Sequence, residues 1–405
     1  MSIVPSPVII LGGTPNIPFD IVFTIFKQLD RLGWRGTLRS CAQTCRLWHS
    51  EAQKMLSSRA MVFGTVPTTD PTRWVRWQGQ FMTVPGDATR VSQLHIKEDA
   101  FIEVDWLTSA LRSLPRLRYL SIYVTTAPKF PTTPLPVPFE LPYLEHFQLE
   151  SHRDTQYPYD KVLALFRCFS KAKSISIKRV SIDLPKDHPI ALDIAPYSVF
   201  IDGLSHGCYH YWFRVLRQPH AAQAIRHLRI CFYEFIHVAS GGCPALLRSL
   251  KNIETIEFDF ATSLKERQFI SSRTLSRIIE RDFAPAFPST IHTFRLRLPE
   301  ARHFSHYWPS CLALLQAMPA TLRHIEICVS NYSQYFEPES VADCLGRYTD
   351  LRTLEVVLDE KEVMDKDAGE IAKYRNFLQK GFPDLAARGA LRLTAEIRPR
   401  WPQSY

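Results

Sequence analysis

The sequence predicts an α/β fold in which a small N-terminal helical module precedes a stack of strand–helix units built around a parallel sheet. Two observations carry this expectation. A short apolar pattern recurs nine times between residues 91 and 356, and helix-like segments fill the intervals. Ahead of it, residues 17–52 place apolar side chains at helical spacing twice over. At 405 residues the chain exceeds the size at which one compact core stops growing, so repeating units are the first thing to look for.

The expected organisation is a tail at 1–14, the helical module at 15–58, and a linker with a capping strand and loop at 59–90. The array then occupies 91–398 and a short tail 399–405. In the module, Ile21, Ile25 and Leu29 fall four apart with Val22 and Phe26 one position round, a wide apolar stripe on a short helix. Pro18 suits the first turn, where its missing N–H leaves no bond unmade. A second helix is expected from Leu38 through Cys41 or Ala42, Cys45, Trp48 or His49, to Ala52, with Thr37 as N-cap and the Gly33–Gly36 turn before it. In the linker, Arg59–Val66 reads as a strand, and the following loop with Trp74 and Trp77 is placed to cover the first repeat.

The array pattern is an aliphatic residue, two others, a second apolar residue, one other, then a third. It runs Val91, Leu94, Ile96; Leu117, Leu120, Ile122; Leu144, Phe147, Leu149; Ala172, Ile175, Ile177; Ile225, Leu228, Ile230; Ile253, Ile256, Phe258; Ile291, Phe294, Leu296; Leu322, Ile325, Ile327; and Leu351, Leu354, Val356. Most steps between middle residues fall between 26 and 31, and the gap of 53 marks a blurred tenth unit near Ser198–Ile201. The last two apolar positions alternate as a half-buried strand requires. Helices are expected at Leu107–Leu114, Lys161–Phe169, Pro244–Leu250, Ser272–Phe283, Trp308–Ala317, Val341–Tyr348 and Asp367–Gln379, with a closing strand at Leu391–Ile397. Residues 127–142 carry six prolines and read as an extended crossing loop. Residues 206–216, HGCYHYWFRVL, gather aromatics of the kind enriched at interface hot spots, although at helical spacing they read rather as core.

Composition narrows the function classes. Apolar residues make up 45% and aromatics 12%, which are globular values. The net charge of +9 holds no block of five or more Lys or Arg, and four of the nine charges lie in residues 1–60, so no phosphate-binding footprint is present and nucleic acid is not expected as a partner. No apolar run approaches the ~18 to 20 residues of a membrane span. The opening MSIVPSPVIILGGTP lacks a basic n-region, and nine scattered cysteines fit reduced thiols. The expected place is the cytoplasm, the nucleus or both, with no membrane partner.

Catalytic signatures are missing: no G-x-S-x-G, P-loop, H-E-x-x-H or paired C-x-x-C occurs. His206, Cys208 and His210 alternate closely enough to raise a metal question, but the rest of a ligand shell is not identified. No catalytic residue, metal ligand or cofactor is expected, and the protein is not read as an enzyme.

The N-terminal residues resemble the F-box, whose pattern runs Leu-Pro, an acidic residue, an aliphatic helix, Leu, and Cys-Arg-x-Trp. Ile17-Pro18, Asp20, Ile21, Ile25-Phe26, Leu29, Leu38 and Cys45-Arg46-Leu47-Trp48 occupy those positions in order, with Ile17 for Leu, Asp20 for Glu, Thr44 for Val and a longer inter-helix loop as departures. The array is similar to the leucine-rich repeat, an α/β solenoid with a parallel sheet. The Asn or Cys of that repeat is replaced by residues such as Asp99, Thr125, Tyr233 and Ser330, so backbone groups there need other partners. Together the two resemblances imply a substrate-recognition adaptor of a cullin-based SCF ubiquitin ligase. Pro18, Ile21, Ile25, Phe26, Leu29, Leu38, Cys45 and Trp48 would then form or support the surface that docks on a Skp-type adaptor joined to the cullin. An unknown target protein would meet outward strand residues, with Lys97, Tyr123, Glu150, Lys178, Arg229, Asp259 and Arg297 the candidates. The alternative is a protein-binding scaffold with the same dock and no ligase role.

Overall fold

In the computed structural model the described residues are 19–31, 35–43, 48–52, 59–63, 91–98, 111, 114–124, 143–151, 156–159, 162, 166–167, 169–183, 192–204, 206–231, 242–260, 272–298, 301–329, 336–358 and 368–394. Two compact units divide the chain, one reaching to Arg59 and the other spanning Ala60–Arg398.

In the first unit, α1 (Phe19–Arg31) and α2 (Arg35–Ala42) pack through Val22, Phe26, Leu29, Leu38 and Ala42, with Ala52 buried beside them. The second helix is shorter than its apolar spacing predicts. It stops at Ala42, where Gln43 N–H bonds back to Ser40 O at 3.1 Å, and the described residues 48–52 are helical again. The His49 ring nitrogen Nδ1 lies 3.1 Å from Ala42 O, satisfying one of the carbonyls that a helix end leaves open. Thr37 falls inside α2 and so is not its N-cap.

The second unit is an α/β structure on one large sheet. Its strands are β1 (Arg59–Phe63), β2 (Gln93–Glu98), β3 (Tyr119–Val124), β4 (His146–Ser151), β5 (Gln156–Pro158), β6 (Ser174–Lys178), β7 (Ser181–Asp183) and β8 (Ser198–Asp202). They continue as β9 (His227–Cys231), β10 (Thr255–Asp259), β11 (Thr293–Arg297), β12 (His324–Val329), β13 (Thr353–Leu358) and β14 (Leu391–Thr394). The main sheet runs in chain order from β1 to β14, leaving out β5 and β7, which pair with each other. From β2 to β14 its eleven strands are all parallel. The blurred tenth unit is therefore a full strand, β8.

Pairing each strand with the next in chain order requires every crossover to advance the same way. With right-handed crossovers, this lays the connecting helices against one face of the sheet. Those helices are α3 (His206–Leu216), α4 (Pro219–Ala224), α5 (Cys243–Ser249), α6 (Ser272–Ile278), α7 (Ala301–Ala317), α8 (Pro338–Leu345), α9 (Ala368–Gly381) and α10 (Pro383–Ala387). After α6 the chain continues through one π turn, Ile279–Phe283, and a 3-10 turn, Ala284–Ala286, where Pro285 ends the run. The helix expected at Trp308–Ala317 begins seven residues earlier, as α7, so Pro309 lies inside it. Among residues 107–114 only Leu111 is described as helical, and Lys161–Phe169 is helical at the described residues 162, 166 and 167. Residues 64–90 and 127–142, and the final strand beyond Thr394, lie outside the described residues. Among the described residues no helix is long and apolar enough to cross a membrane, and no disulfide joins the described cysteines.

The apolar pattern supplies the core. Leu94, Leu120, Phe147, Ile175, Val199, Leu228, Ile256, Phe294, Ile325 and Leu354 form one buried row across the strands. The third pattern residues, from Ile96 to Val356, form a second. The helices close over both with Phe166, Trp212, Leu246, Phe283, Leu314 and Val341. The 206–216 aromatics are α3 and belong to this core: Trp212 packs 4.6 Å from Phe166 between ring centres, and Tyr209 and Phe213 are buried. Each fully buried side chain of this size contributes about 1.5–3 kcal/mol, so the doubled row outweighs any surface pairing.

One close approach fixes how two helices meet. A Cβ added to Gly381 at the end of α9 would lie 2.2 Å from Pro338 Cβ at the start of α8, whereas at Gly346 its nearest neighbour would be 3.7 Å away. Gly381→Ala is expected to lower stability by about 1–3 kcal/mol, while Gly346→Ala leaves it unchanged or slightly higher. Thermal melts of the two variants against the parent check the contrast.

Candidate functional site

Two surfaces stand out. The first is the face of the main sheet turned away from the buried rows. Alternation puts residues one, three and five of each strand on it. Row one holds no carboxylate, Lys or Arg: Tyr119, His146, Ser174, Ser198, His227, Thr255, Thr293, His324 and Thr353 follow one another across the strands. Row three runs His95, Ser121, Gln148, Ser176, Phe200, Arg229, Glu257, Arg295, Glu326, Glu355 and Arg392. Row five runs Lys97, Tyr123, Glu150, Lys178, Asp202, Cys231, Asp259, Arg297, Cys328, Val357 and Thr394.

The target-binding candidates all fall on this face, six of them in row five and Arg229 in row three. The structure adds what spacing could not show, namely which of them solvent reaches. Glu150 is 4% exposed and Asp259 2% exposed, so both reach a partner only through the cations they hold. Lys97 lies in β2 with its side chain outside the described residues. Tyr123, Lys178, Arg229 and Arg297 are half-buried.

Neighbouring strands knit the charges into a lattice. Arg229 Nη2 donates to Asp259 Oδ2 at 2.5 Å, and its Nε lies 3.0 Å from Glu257 Oε1, a Coulombic contact without hydrogen-bond alignment. Arg297 reaches the same Asp259 at 4.0 Å, Arg295 pairs with Glu326 at 3.1 Å, and Lys178 lies 3.8 Å from Glu150. Glu150 also accepts from Gln148 Nε2 at 3.0 Å, and Thr394 Oγ1 donates to Glu355 at 2.6 Å. Phe200 stands in the middle of this polar row, with the Arg229 guanidinium 4.4 Å and the Lys178 amine 5.3 Å from its ring centre. Burial pulls the Lys178 amine below its usual value, against the opposing pull of Glu150 and Asp202. Burial likewise pushes the carboxyls of Asp202 and Glu257 up, helped in each case by Asp259.

Phe200, Ser176 and Asp202 were missed by pattern reading because β8 lacks the leading aliphatic, and Ser176 is an inconspicuous residue between two apolar ones. Lining β8 up with β6 and β9 would have found them.

The second surface is on α1. The inward stripe is Val22, Phe26 and Leu29, while Ile21 and Ile25 are 50% and 48% exposed. Trp48 is half-buried and meets Phe26 edge to face at 5.6 Å between ring centres. Of the adaptor-binding candidates, Phe26, Leu29 and Leu38 thus support the surface from beneath, and Ile21 and Ile25 form it. Pro18 and Cys45 lie outside the described residues.

The metal question at 206–210 resolves into a helix. Successive positions two apart on α3 point in divergent directions. Cys208 Sγ accepts from the buried Ile182 N–H at 3.1 Å, while His210 is exposed. Among the described residues no group of three or more His, Cys, Asp or Glu could hold a metal ion. No family model matches this sequence, and no curated protein matches it either.

Because the Asp202 carboxyl is raised, the folded chain holds its proton more tightly than the unfolded chain. The stability this confers is fully present below the ordinary carboxylate range and is lost as pH rises through the folded value. Asp202→Asn is therefore expected to gain stability relative to the parent between about pH 4 and about pH 8. Urea midpoints at the two pH values check it, and a difference that stays flat contradicts the assignment.

Proposed function

We propose that this chain is a two-ended adaptor, an F-box-type module followed by a leucine-rich-repeat-like solenoid, acting as the substrate-recognition subunit of an SCF-type cullin ubiquitin ligase. The observation that carries the reading is the pair of unburied aliphatics on α1: Ile21 and Ile25 stay half exposed while the rest of the stripe forms a core. Large aliphatics one turn apart on a helix, backed by a rigid aromatic pair, suit burial against an apolar partner surface. In this reading the partner is a Skp-type adaptor bound to the cullin, and Phe26, Leu29, Leu38 and Trp48 hold the helix in the docking pose.

The sheet face takes the target. Its charges are of both signs and interleaved, which suits a protein surface better than a phosphate backbone. The chain contributes no covalent chemistry of its own; its role is to hold the target where another subunit transfers ubiquitin. Work of this kind belongs in the cytoplasm or nucleus.

Ile21→Asp and Ile25→Asp each place a charge in the docking contact without touching the buried stripe. Both are expected to abolish co-isolation with a Skp-type adaptor and cullin while leaving the thermal melt within about 1 °C of the parent, as surface changes do. Arg229→Gln is expected to retain adaptor binding in full. Retention of the adaptor by both Ile variants would refute the dock.

A further inference from the structure

Parallel strands paired in register bring their entrances to one edge of the main sheet, and that edge collects charge which the sequence scatters. The described connections leading into β3, β4, β6 and β8–β14 are residues 114–118, 143–145, 169–173, 192–197, 217–226, 250–254, 287–292, 318–323, 346–352 and 388–390. They hold eleven Lys or Arg against four Asp or Glu, an excess of seven. The outer face differs: between β6 and β12, rows three and five carry four cations and four carboxylates.

Part of the excess is helix chemistry. The connecting helices end at this edge, and their open carbonyls and negative poles draw cations. Arg226 donates to Asn252 O at 3.1 Å and pairs with Glu254 at 3.6 Å, and Arg347 donates to Gln316 O. Arg116, Arg118, Lys173, Arg323 and Arg352 are not used in this way. All five are exposed, and none makes an ion pair or side-chain hydrogen bond among the described residues. The backbone that carries them is fixed: Arg118 O accepts Glu145 N–H at 2.8 Å, and Lys173 O accepts Tyr197 N–H at 2.7 Å. Tyr143 and Tyr197 lie on the same edge and are 63% and 48% exposed, so a partner can reach both rings. By the backbone register Tyr143 falls between Arg116 and Lys171. Tyr and Arg together are the residue types that dominate protein–protein hot spots.

The spacing selects the kind of anion. Arg118 and Lys173 lead into strands two apart in the sheet, about 10 Å, with Glu145 between them. A nucleic acid strand carries a phosphate at every nucleotide and would set one against Glu145. A polypeptide can leave that position uncharged. An extended chain advances about 10 Å in three residues, so carboxylates three apart meet Arg118 and Lys173 in turn.

We propose that the strand-entrance edge from β3 to β8 docks an extended acidic segment of a partner protein, with carboxylates three residues apart on Arg118 and Lys173 and an apolar group against Tyr143. This edge is separate from the outer face and from α1, so the proposal does not depend on the ligase reading.

Fluorescence anisotropy of the full chain with a labelled peptide carrying Glu at every third position among Gly, Ser and Tyr tests it. The expected result is saturable binding that weakens as NaCl rises from about 50 to about 300 mM. Arg118→Gln, Lys173→Gln and Tyr143→Ala each weaken it several-fold, and the two charge changes together about tenfold. Arg352→Gln, at the entrance of β13, leaves it unchanged, which separates a site from general attraction to a basic edge. Matched melting curves show that the variants fold. Absence of binding, equal binding of the same peptide with Lys in place of Glu, or indifference to the double variant overturns the proposal. So does tighter binding of a single-stranded oligonucleotide of equal charge that the double variant loses, which makes the edge a nucleic-acid site. Co-isolation with the adaptor is read from the Ile21 and Ile25 variants alone and is untouched by any of these results.

Discussion

One backbone contact, repeated unit after unit, sets everything else in the larger domain. Just ahead of each strand a carbonyl accepts the N–H of the matching residue in the next unit: Ser92 O from Arg118, Arg118 O from Glu145, Tyr197 O from Arg226, Arg226 O from Glu254, His292 O from Arg323 and Arg323 O from Arg352, all at 2.8–2.9 Å. The same carbonyls accept a second N–H from the following residue. Because buried backbone groups must be paired, this contact pins each strand at the same register as the last. A slip of one residue would turn both apolar rows outward. At the far ends of the strands, where a side-chain ladder of Asn or Cys is missing, backbone bonds stand in: Arg179 N–H to Asp202 O, Phe260 N–H to Arg297 O and Leu298 N–H to Cys328 O.

The equal register has a functional consequence on the opposite side of the sheet. It stacks residues from units about thirty positions apart into straight rows, so Arg229, Glu257, Arg295 and Glu326 become neighbours. Their pairing is secondary for stability, since partly buried ion pairs lose much of their Coulombic gain to desolvation, whereas each buried Leu, Ile or Phe contributes about 1.5–3 kcal/mol. Its importance is selective: a lattice with its charges matched offers little to a polyanion or polycation. The α1 surface follows a different chemistry, built on the two exposed aliphatics Ile21 and Ile25.

The α/β class, the parallel sheet and most strand positions were legible because the middle and last apolar residues of each unit are the ones that stay buried. The tenth strand was blurred because Pro196 occupies the place of the leading aliphatic, although Val199 and Ile201 are where they should be. The three-residue strands β5 and β7 are too short to show alternation. The early end of α2 was hidden because apolar spacing continues through Cys45, whereas helix ends are set by local bonds such as that from Gln43 to Ser40. For the candidate site, spacing told which residues share the outer face but not which are covered. Asp259 and Glu150 are buried by neighbours contributed by other units, a property no single strand reveals. Ile21 and Ile25 were legible as part of a stripe, but only packing against Leu38 and Ala52 separates the stripe's inner edge from its exposed one.

The central claim is that one side of the sheet is sealed by helices while the other stays open to solvent at residues such as Tyr123, Phe200 and His324. Hydroxyl-radical footprinting of the purified chain, read residue by residue by mass spectrometry, tests it most directly. The account predicts rapid modification of Phe200, Tyr123 and His324 on the outer rows and strong protection of Phe147, Phe258 and Phe294 on the inner ones. Protection of Phe200 and Tyr123 equal to that of Phe258 and Phe294 would contradict it.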